Sequence, residues 1–553
     1  MKKKILLLFL SFITVCICLT ATALAADNEP EFLSYPKAAL GAFDSAGLKN
    51  ISSADDYEGN KGRSASSLYI SPYWKLTVAG KSAPVYATDV YDYALNSGVV
   101  QSFEYIFADK NDFPLDIKAY FDGIITDCTV LPESLGCKAE ITAENCAAAS
   151  LEHFGAYTFL INGESQDTAL TVFVKEKTDE NKEITAYTAK YGKENVAVYE
   201  KGVYSFDEFP TDKKVIYFKR GAYIAANHKK DIADDEDAEN AGLKPFFELN
   251  SAEGAAVAGC GTFDFGRLDR KERTLINLNF CKNTSLDGLI ILNPNSWTVT
   301  VYGSESCTLD NITVFGYRTN SDGINICGCS SIKISDCFCR NGDDSFSVKT
   351  TNSEFECSGI EFSGCIGWSN KARCFGITGE VERNIKDIIF KDCAVLCRNA
   401  NWDNDRVASL SVSVETGGAD ISNVTFENIE IHRDEGRPIF CGIINEDISG
   451  CEIKDVVFKN ITYSAAEQIK LISHKETGFF ASLCSSAVRN IEARELQNRK
   501  FFSFIVKLLK KCYDTDNGVT VMFDNVSSGQ TVVDKNSQKE FITAEGNVIY
   551  KFR

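Results

Sequence analysis

Past about Val196 the chain keeps returning to one four-residue pattern: an apolar residue, any residue, then Asn, Asp or Gly, then an apolar residue. Clear copies begin at Leu286, Leu309, Ile334, Phe362, Phe390, Phe426 and Phe458, and weaker ones at Val488 and Phe523. Successive copies start 23 to 36 residues apart. Repeats of this length, rich in β-branched residues, stack into solenoids. The third position suits the left-handed backbone by which one strand turns into the next sheet. Leucine-rich repeats would need a denser Leu ladder and helical segments, which are absent. The pattern therefore predicts an all-β chain whose larger part is a right-handed parallel β-helix, each coil about 4.8 Å above the last. Phe362, Phe390, Phe426 and Phe458 should then form one interior ladder.

The earlier part reads differently. From about Leu68 to Lys175, short alternating segments such as Lys75-Leu76-Thr77-Val78 and Ala169-Leu170-Thr171-Val172-Phe173-Val174 are divided by Gly, Asn, Asp and Pro turns. That is the pattern of an antiparallel β-sandwich. The charged stretch from Lys175 to Glu183 reads as a linker. At the start, Lys2, Lys3 and Lys4 precede an apolar run from Ile5 to Leu19, and Ala23-Leu24-Ala25 offers small residues for cleavage near Ala26. The layout expected is a signal peptide over 1–25, a sandwich over 26–190 and a β-helix over 191–553. No later segment is apolar enough for a bilayer. A secreted protein with no membrane span once the leader is removed, acting as a monomer, is expected.

Charge and cysteine content narrow the function. A net charge of −19 disfavours nucleic acid, which needs a cationic surface to displace its counterions. The chain has 21 cysteines, two of them (Cys16 and Cys18) in the leader, and several of the rest fall at apolar positions of the repeat. We read most as small buried hydrophobes. With only four His and no facing CxxC pairs, no metal or other cofactor is implied.

One stretch stands apart from the repeat. Arg318-Thr319-Asn320-Ser321-Asp322-Gly323-Ile324 is followed one coil later by Arg340-Asn341-Gly342-Asp343-Asp344-Ser345-Phe346. Placing Ile324 over Phe346 places Asp322 over Asp344, with Asp343 at the same edge. Three carboxylates then crowd within about two strand spacings, roughly 5–10 Å. Such crowding raises at least one pKa and serves no need of a solenoid. Glycoside hydrolysis does need it, because one carboxylic acid protonates the leaving oxygen while another carboxylate activates water. Turn-forming Asp residues and a calcium site are the plainer readings of the same residues.

Asn320-Ser321-Asp322-Gly323-Ile324 and Gly342-Asp343-Asp344 resemble the signature of the polygalacturonase-like hydrolases, glycoside hydrolase family 28. The likeness runs from about Val196 to Ile461 and includes a Gly-rich turn, Gly259-Cys260-Gly261-Thr262-Phe263-Asp264. It implies that Asp343 is the general acid, that Asp322 and Asp344 hold the attacking water, and that the anomeric configuration inverts. The departures concern substrate. The family's Gly-His-Gly is missing, no His lying between His228 and His432, and Arg373 takes the coil after Asp344. Its Arg-Ile-Lys, which grips a uronate carboxylate, survives at best as Arg406-Val407-Ala408. The layout is also similar to the dextranase-like family 49, which pairs a sandwich with a β-helix and uses a similar Asp trio on neutral glucans.

Asn320, Arg373, Arg406 and Trp297 are the candidate substrate-binding residues. Trp297 aligns one coil before Asp322, where an indole face suits a sugar ring, and Trp368 and Trp402 are placed near the rim of later coils. The partner expected is a polysaccharide or oligosaccharide, uncharged or only partly acidic at the cleavage position. Two other classes remain open at this point. A β-helix lyase or C5-epimerase needs a cationic base or Ca²⁺-bridged uronate; a non-catalytic carbohydrate-binding solenoid needs no Asp trio.

Overall fold

The computed structural model describes residues 29–49, 66–92, 97–163, 165–227, 245–268, 273–351, 353–398, 407–433, 440–445, 448, 450–463, 469–473, 517–528, 531–545 and 547–553, with isolated positions between 483 and 509. The expected leader lies outside the described residues. Two compact units divide the chain. One takes Ser71–Tyr86, Ser102–Glu183 and the described residues up to Ser34; the other takes Tyr35–Ile70, Ala87–Gln101 and Ile184–Arg553. Each is thus discontinuous in sequence, where composition alone draws a single boundary near residue 190.

In the first unit, Leu115–Phe121 lies between Trp74–Val78 and Cys146–Leu151, antiparallel to both. A second sheet sets Gly155–Ile161 antiparallel to Cys128–Leu131 and Ser165–Glu176. Trp74, Leu76 and Ile117 from the first sheet share one core with Ile106, Phe159 and Val172 from the second. The pairing is not antiparallel throughout, as alternation alone predicts. Residues 170–176 run parallel to 102–108, because the chain visits the other sheet between them and no hairpin dictates direction. The stretch read as a linker is structured too. It finishes the strand Ser165–Glu176 and enters the helix Glu180–Tyr191. Asp179 caps that helix, accepting the backbone N–H groups of Asn181 and Lys182 at 3.1 and 3.2 Å.

The second unit is a parallel β-helix. Among the described residues a ten-stranded sheet runs from Phe247–Asn250 to Ile542–Glu545, each strand parallel to its neighbours. The other wall is built of two columns of short strands that merge into single long strands at Ile385–Arg398, Ile421–Ile431, Glu452–Tyr463 and Gly518–Ser528. The repeat's first position forms one interior ladder: Leu286, Leu309, Ile334, Phe362, Phe390, Phe426, Phe458 and Phe523 pair in succession. Its Phe rings stack at 4.7, 4.9, 5.1 and 5.6 Å between centroids. The third position has positive φ at each of these rungs, from Gly288 and Asn311 to Asn460 and Asn525, so the preference for Asn, Asp and Gly is conformational. The copy beginning at Val488 is not a rung. Phe458 pairs directly with Phe523, and Val488 packs with Val506, Ile491 and Leu509 instead.

None of the described cysteines forms a disulfide, and all but Cys128 are buried. Cys337, Cys365 and Cys393 continue the interior column of Leu289 and Ile312, as small hydrophobes would. Among the described residues no helix is long and apolar enough to cross a membrane. Phe390 is fully buried between two stacked rings. Replacing it by Ala should cost about 3–5 kcal/mol, seen as a lowered midpoint of thermal unfolding; an unchanged midpoint would show that the ladder does not carry the fold.

Candidate active site

The ten-stranded sheet positions the charged residues. Val299–Tyr302, Ile324–Cys327, Phe346–Lys349 and Phe375–Val381 are successive neighbours, with Val299 over Ile324, Ile324 over Phe346, and Phe346 over Phe375. Two residues before each of those starts stand Trp297, Asp322, Asp344 and Arg373. The ladder continues into these turns: Thr298, Gly323 and Ser345 donate their N–H groups to the carbonyls of Asp322, Asp344 and Arg373 at 2.9, 2.8 and 2.9 Å. The four side chains therefore rise in one column, about 4.8 Å per step.

Asp343 is held beside that column by a separate set of bonds. Its Oδ2 accepts the Asn320 N–H at 3.1 Å and its Oδ1 the Asp344 N–H at 3.0 Å. Asn320 meets it in a left-handed conformation (φ 63°), which Asn tolerates. Below, the fully buried Asn341 amide donates to the carbonyls of Ser321, Asp343 and Asp344 at 2.9, 2.9 and 3.0 Å. The Gly in Gly342-Asp343-Asp344 is steric. A Cβ there would lie 2.4 Å from the Arg318 carbonyl oxygen and 2.5 Å from that of Tyr317.

Three further charged residues complete the site, and sequence reasoning missed them. Lys349, only 4% exposed, places Nζ 3.0 Å from Asp322, 3.7 Å from Asp344 and 3.5 Å from Glu380. Arg373 meets Asp344 through Nη1 at 3.4 Å and Glu415 through Nη2. Asp322 and Asp344 thus lie within reach of a single ammonium. The signal for Lys349 was present: in Phe346-Ser347-Val348-Lys349, alternation turns Phe346 and Val348 into the core and Lys349 out on the side of the carboxylates.

Burial pushes the Asp322 carboxyl well above the ordinary range, against the pull of Lys349 and with added repulsion from Asp343 and Asp344. Burial and the neighbouring Asp344 raise Asp343 to about 6. Burial alone would discharge Lys349, but Asp322, Glu380 and Asp344 outweigh it and hold the ammonium. Arg373 is likewise held charged by Asp344 and Glu415. The arrangement supplies one partly exposed carboxyl that keeps its proton in weak acid, facing two buried carboxyls that share a cation.

Among the remaining sequence candidates, Trp297 is half-buried and lies against Lys349, its ring centroid 4.4 Å from Nζ. Arg406 and Trp402 lie outside the described residues. Ala408, in the column after Arg373, is fully buried. Trp368 is not at the rim. It is fully buried beneath the Arg340 guanidinium, 3.7 Å from its ring centroid, because Arg340 is its partner on the neighbouring strand.

Stacked parallel coils bearing a carboxylate cluster define this protein as a parallel β-helix with a candidate acid/base site. The model for glycosyl hydrolases family 28 matches residues 256–482, so the likeness read from the two Asp motifs holds over this region. An exopolygalacturonase from Zea mays is 27% identical over 209 residues, 35% of this chain and 48% of that protein. A probable polygalacturonase from Vitis vinifera is 32% identical over 95 residues, 17% of this chain and 19% of that one. The chain spans about half the length, or less, of these curated relatives. Among solved structures, Dex49A from Penicillium minioluteum superposes with a TM-score of 0.52 at 11% identity, covering 92% of this chain and 94% of that one. That likeness is one of fold.

Replacing Lys349 by Met keeps the apolar stem and removes the charge. Removing one partner of a buried ion pair costs about 3–5 kcal/mol, so unfolding at pH 7 should show a loss of that order. The loss should shrink toward pH 4, where a protonated Asp322 no longer needs the ammonium. An equal loss at both pH values would mean that Lys349 acts only through packing.

Proposed function

We propose that the chain is a secreted glycoside hydrolase that cleaves a polysaccharide by a single displacement with inversion. The observation that carries this is the carboxyl trio: Asp343, raised to about 6, facing Asp322 and Asp344 around Lys349. Asp343 gives its proton to the glycosidic oxygen as the bond from the anomeric carbon breaks. A water held by Asp322 and Asp344 attacks that carbon from the other face and passes its proton to Asp344. Arg373 touches Asp344 through its backbone N–H and its guanidinium, and so fixes the orientation of the carboxylate that takes the proton.

The family likeness and the relatives' names support a polygalacturonase-like activity. Strict dependence on galacturonate is not part of the proposal, since Ala408 stands where that family has a cationic grip. The basic and apolar leader supports export, and the two sheets around one core support a β-sandwich drawn from within residues 26–190, a span that also gives Tyr35–Ile70 and Ala87–Gln101 to the unit of the catalytic β-helix over 191–553. The proposed enzyme acts as a monomer.

Asp343→Asn should lose several orders of magnitude in kcat/KM on polysaccharide, and far less on an aryl glycoside whose leaving group needs no proton. Equal losses on both would remove Asp343 as the acid. The protonated form of Asp343 is the active one, so kcat should fall as pH rises through about 6. A rate that climbs through that range would contradict the assignment.

A further inference from the structure

A sugar unit lying over the carboxyl trio meets two buried cations, and both are already engaged. Lys349 is shared among Asp322, Asp344 and Glu380, and Arg373 between Asp344 and Glu415. Glu380 and Glu415 stand outside the acid/base trio and have no part in moving its proton. Their side chains are 34% and 20% exposed, against 4% and 5% for the cations they face. Each is therefore more open to solvent than the cation it holds. A third cation, Lys371, donates to the Thr319 hydroxyl at 2.8 Å, on the side of Asp343. Five carboxyl groups thus stand around three cations.

We propose that Glu380 and Glu415 determine specificity, by occupying the cations that a uronate carboxylate would need and by offering oxygens to the hydroxyls of an uncharged sugar unit at the cleavage position. The proposal rests on the hydrolase reading and names its substrate class. A uronate entering here would have to displace one carboxylate from Arg373 with another. The displaced Glu415 would remain beside it as an unpaired like charge. An uncharged sugar carries no such penalty, and a hydroxyl donating to a carboxylate makes a short, charge-assisted bond. Glu380 turns Oε2 inward, buried 3.5 Å from Lys349 Nζ, so a sugar hydroxyl would donate to its other carboxylate oxygen.

The test measures binding with turnover removed. Asp343→Asn protein would be titrated calorimetrically with matched oligosaccharides, uronic acid and carboxyl-reduced, in the galacto and gluco series. In at least one series the reduced sugar should bind at least about tenfold tighter. Adding Glu415→Gln, and separately Glu380→Gln, should narrow or reverse that ratio by about tenfold, because each frees a cation while keeping a hydrogen-bonding amide. Two independent variants guard against one that fails to fold. The proposal is overturned if the acid form binds as tightly as the reduced form, if neither variant changes the ratio, or if no sugar binds. Failure of the hydrolase reading shows differently: the wild-type chain would release no reducing ends from any glycan while the binding preference persisted.

Discussion

Backbone hydrogen bonds between parallel coils decide which side chains meet in this protein. A strand in such a stack has no freedom to slide, because a one-residue slip would send its apolar set outward. Whatever stands two residues before Ile324 must therefore lie over whatever stands two residues before Phe346. The same constraint builds the Phe ladder inside the solenoid and the carboxylate column outside it. Inside, like stacks on like at a gain. Outside, like charges are forced together at a cost.

That cost is met by two cations drawn from the same register. Lys349 reaches Asp322 and Asp344 from the far end of its own strand, and Arg373 approaches Asp344 from the next coil. The result is asymmetric. Asp322 and Asp344 are buried and share positive charge, whereas Asp343 is partly exposed and is held by backbone N–H groups. Asymmetry of this kind separates an acid from a base among chemically identical side chains. Glu380 and Glu415 then return the cations' charge to balance, so a site built from ion pairs offers little free positive charge to a ligand.

Much of this was legible in the sequence, for a physical reason. The period of the repeat, its left-handed third position and the apolar alternation after Asp322, Asp344 and Arg373 are local properties, and the ladder transmits them unchanged from coil to coil. What was missed depended on side-chain reach or on breaks in the register. Lys349 lies five residues beyond Asp344, outside any window centred on the Asp motifs, and only its length returns it to them. The pairing shifts between Gly379 and Glu380, so Glu380 and Glu415 do not fall where simple alignment puts them. Trp368 looked like a rim residue by position, but its ring is claimed by Arg340. The copy at Val488 matched the motif without continuing the stack, since a four-residue pattern carries no information on pairing. The helix at Glu180–Tyr191 was masked by its charge: a run with Asp179 as cap and no Gly or Pro until Gly192 forms helix as readily as linker.

The central claim is that three carboxyls held on neighbouring coils act as one acid and a pair holding water, in a single displacement. Proton nuclear magnetic resonance of the first sugar released, recorded before its anomers equilibrate, tests this directly on any glycan the protein cleaves. The account predicts that the new reducing end appears first with the anomeric configuration opposite to that of the bond cleaved. A first product that keeps the configuration of that bond would mean that one of these carboxylates attacks the sugar itself, and would contradict the account.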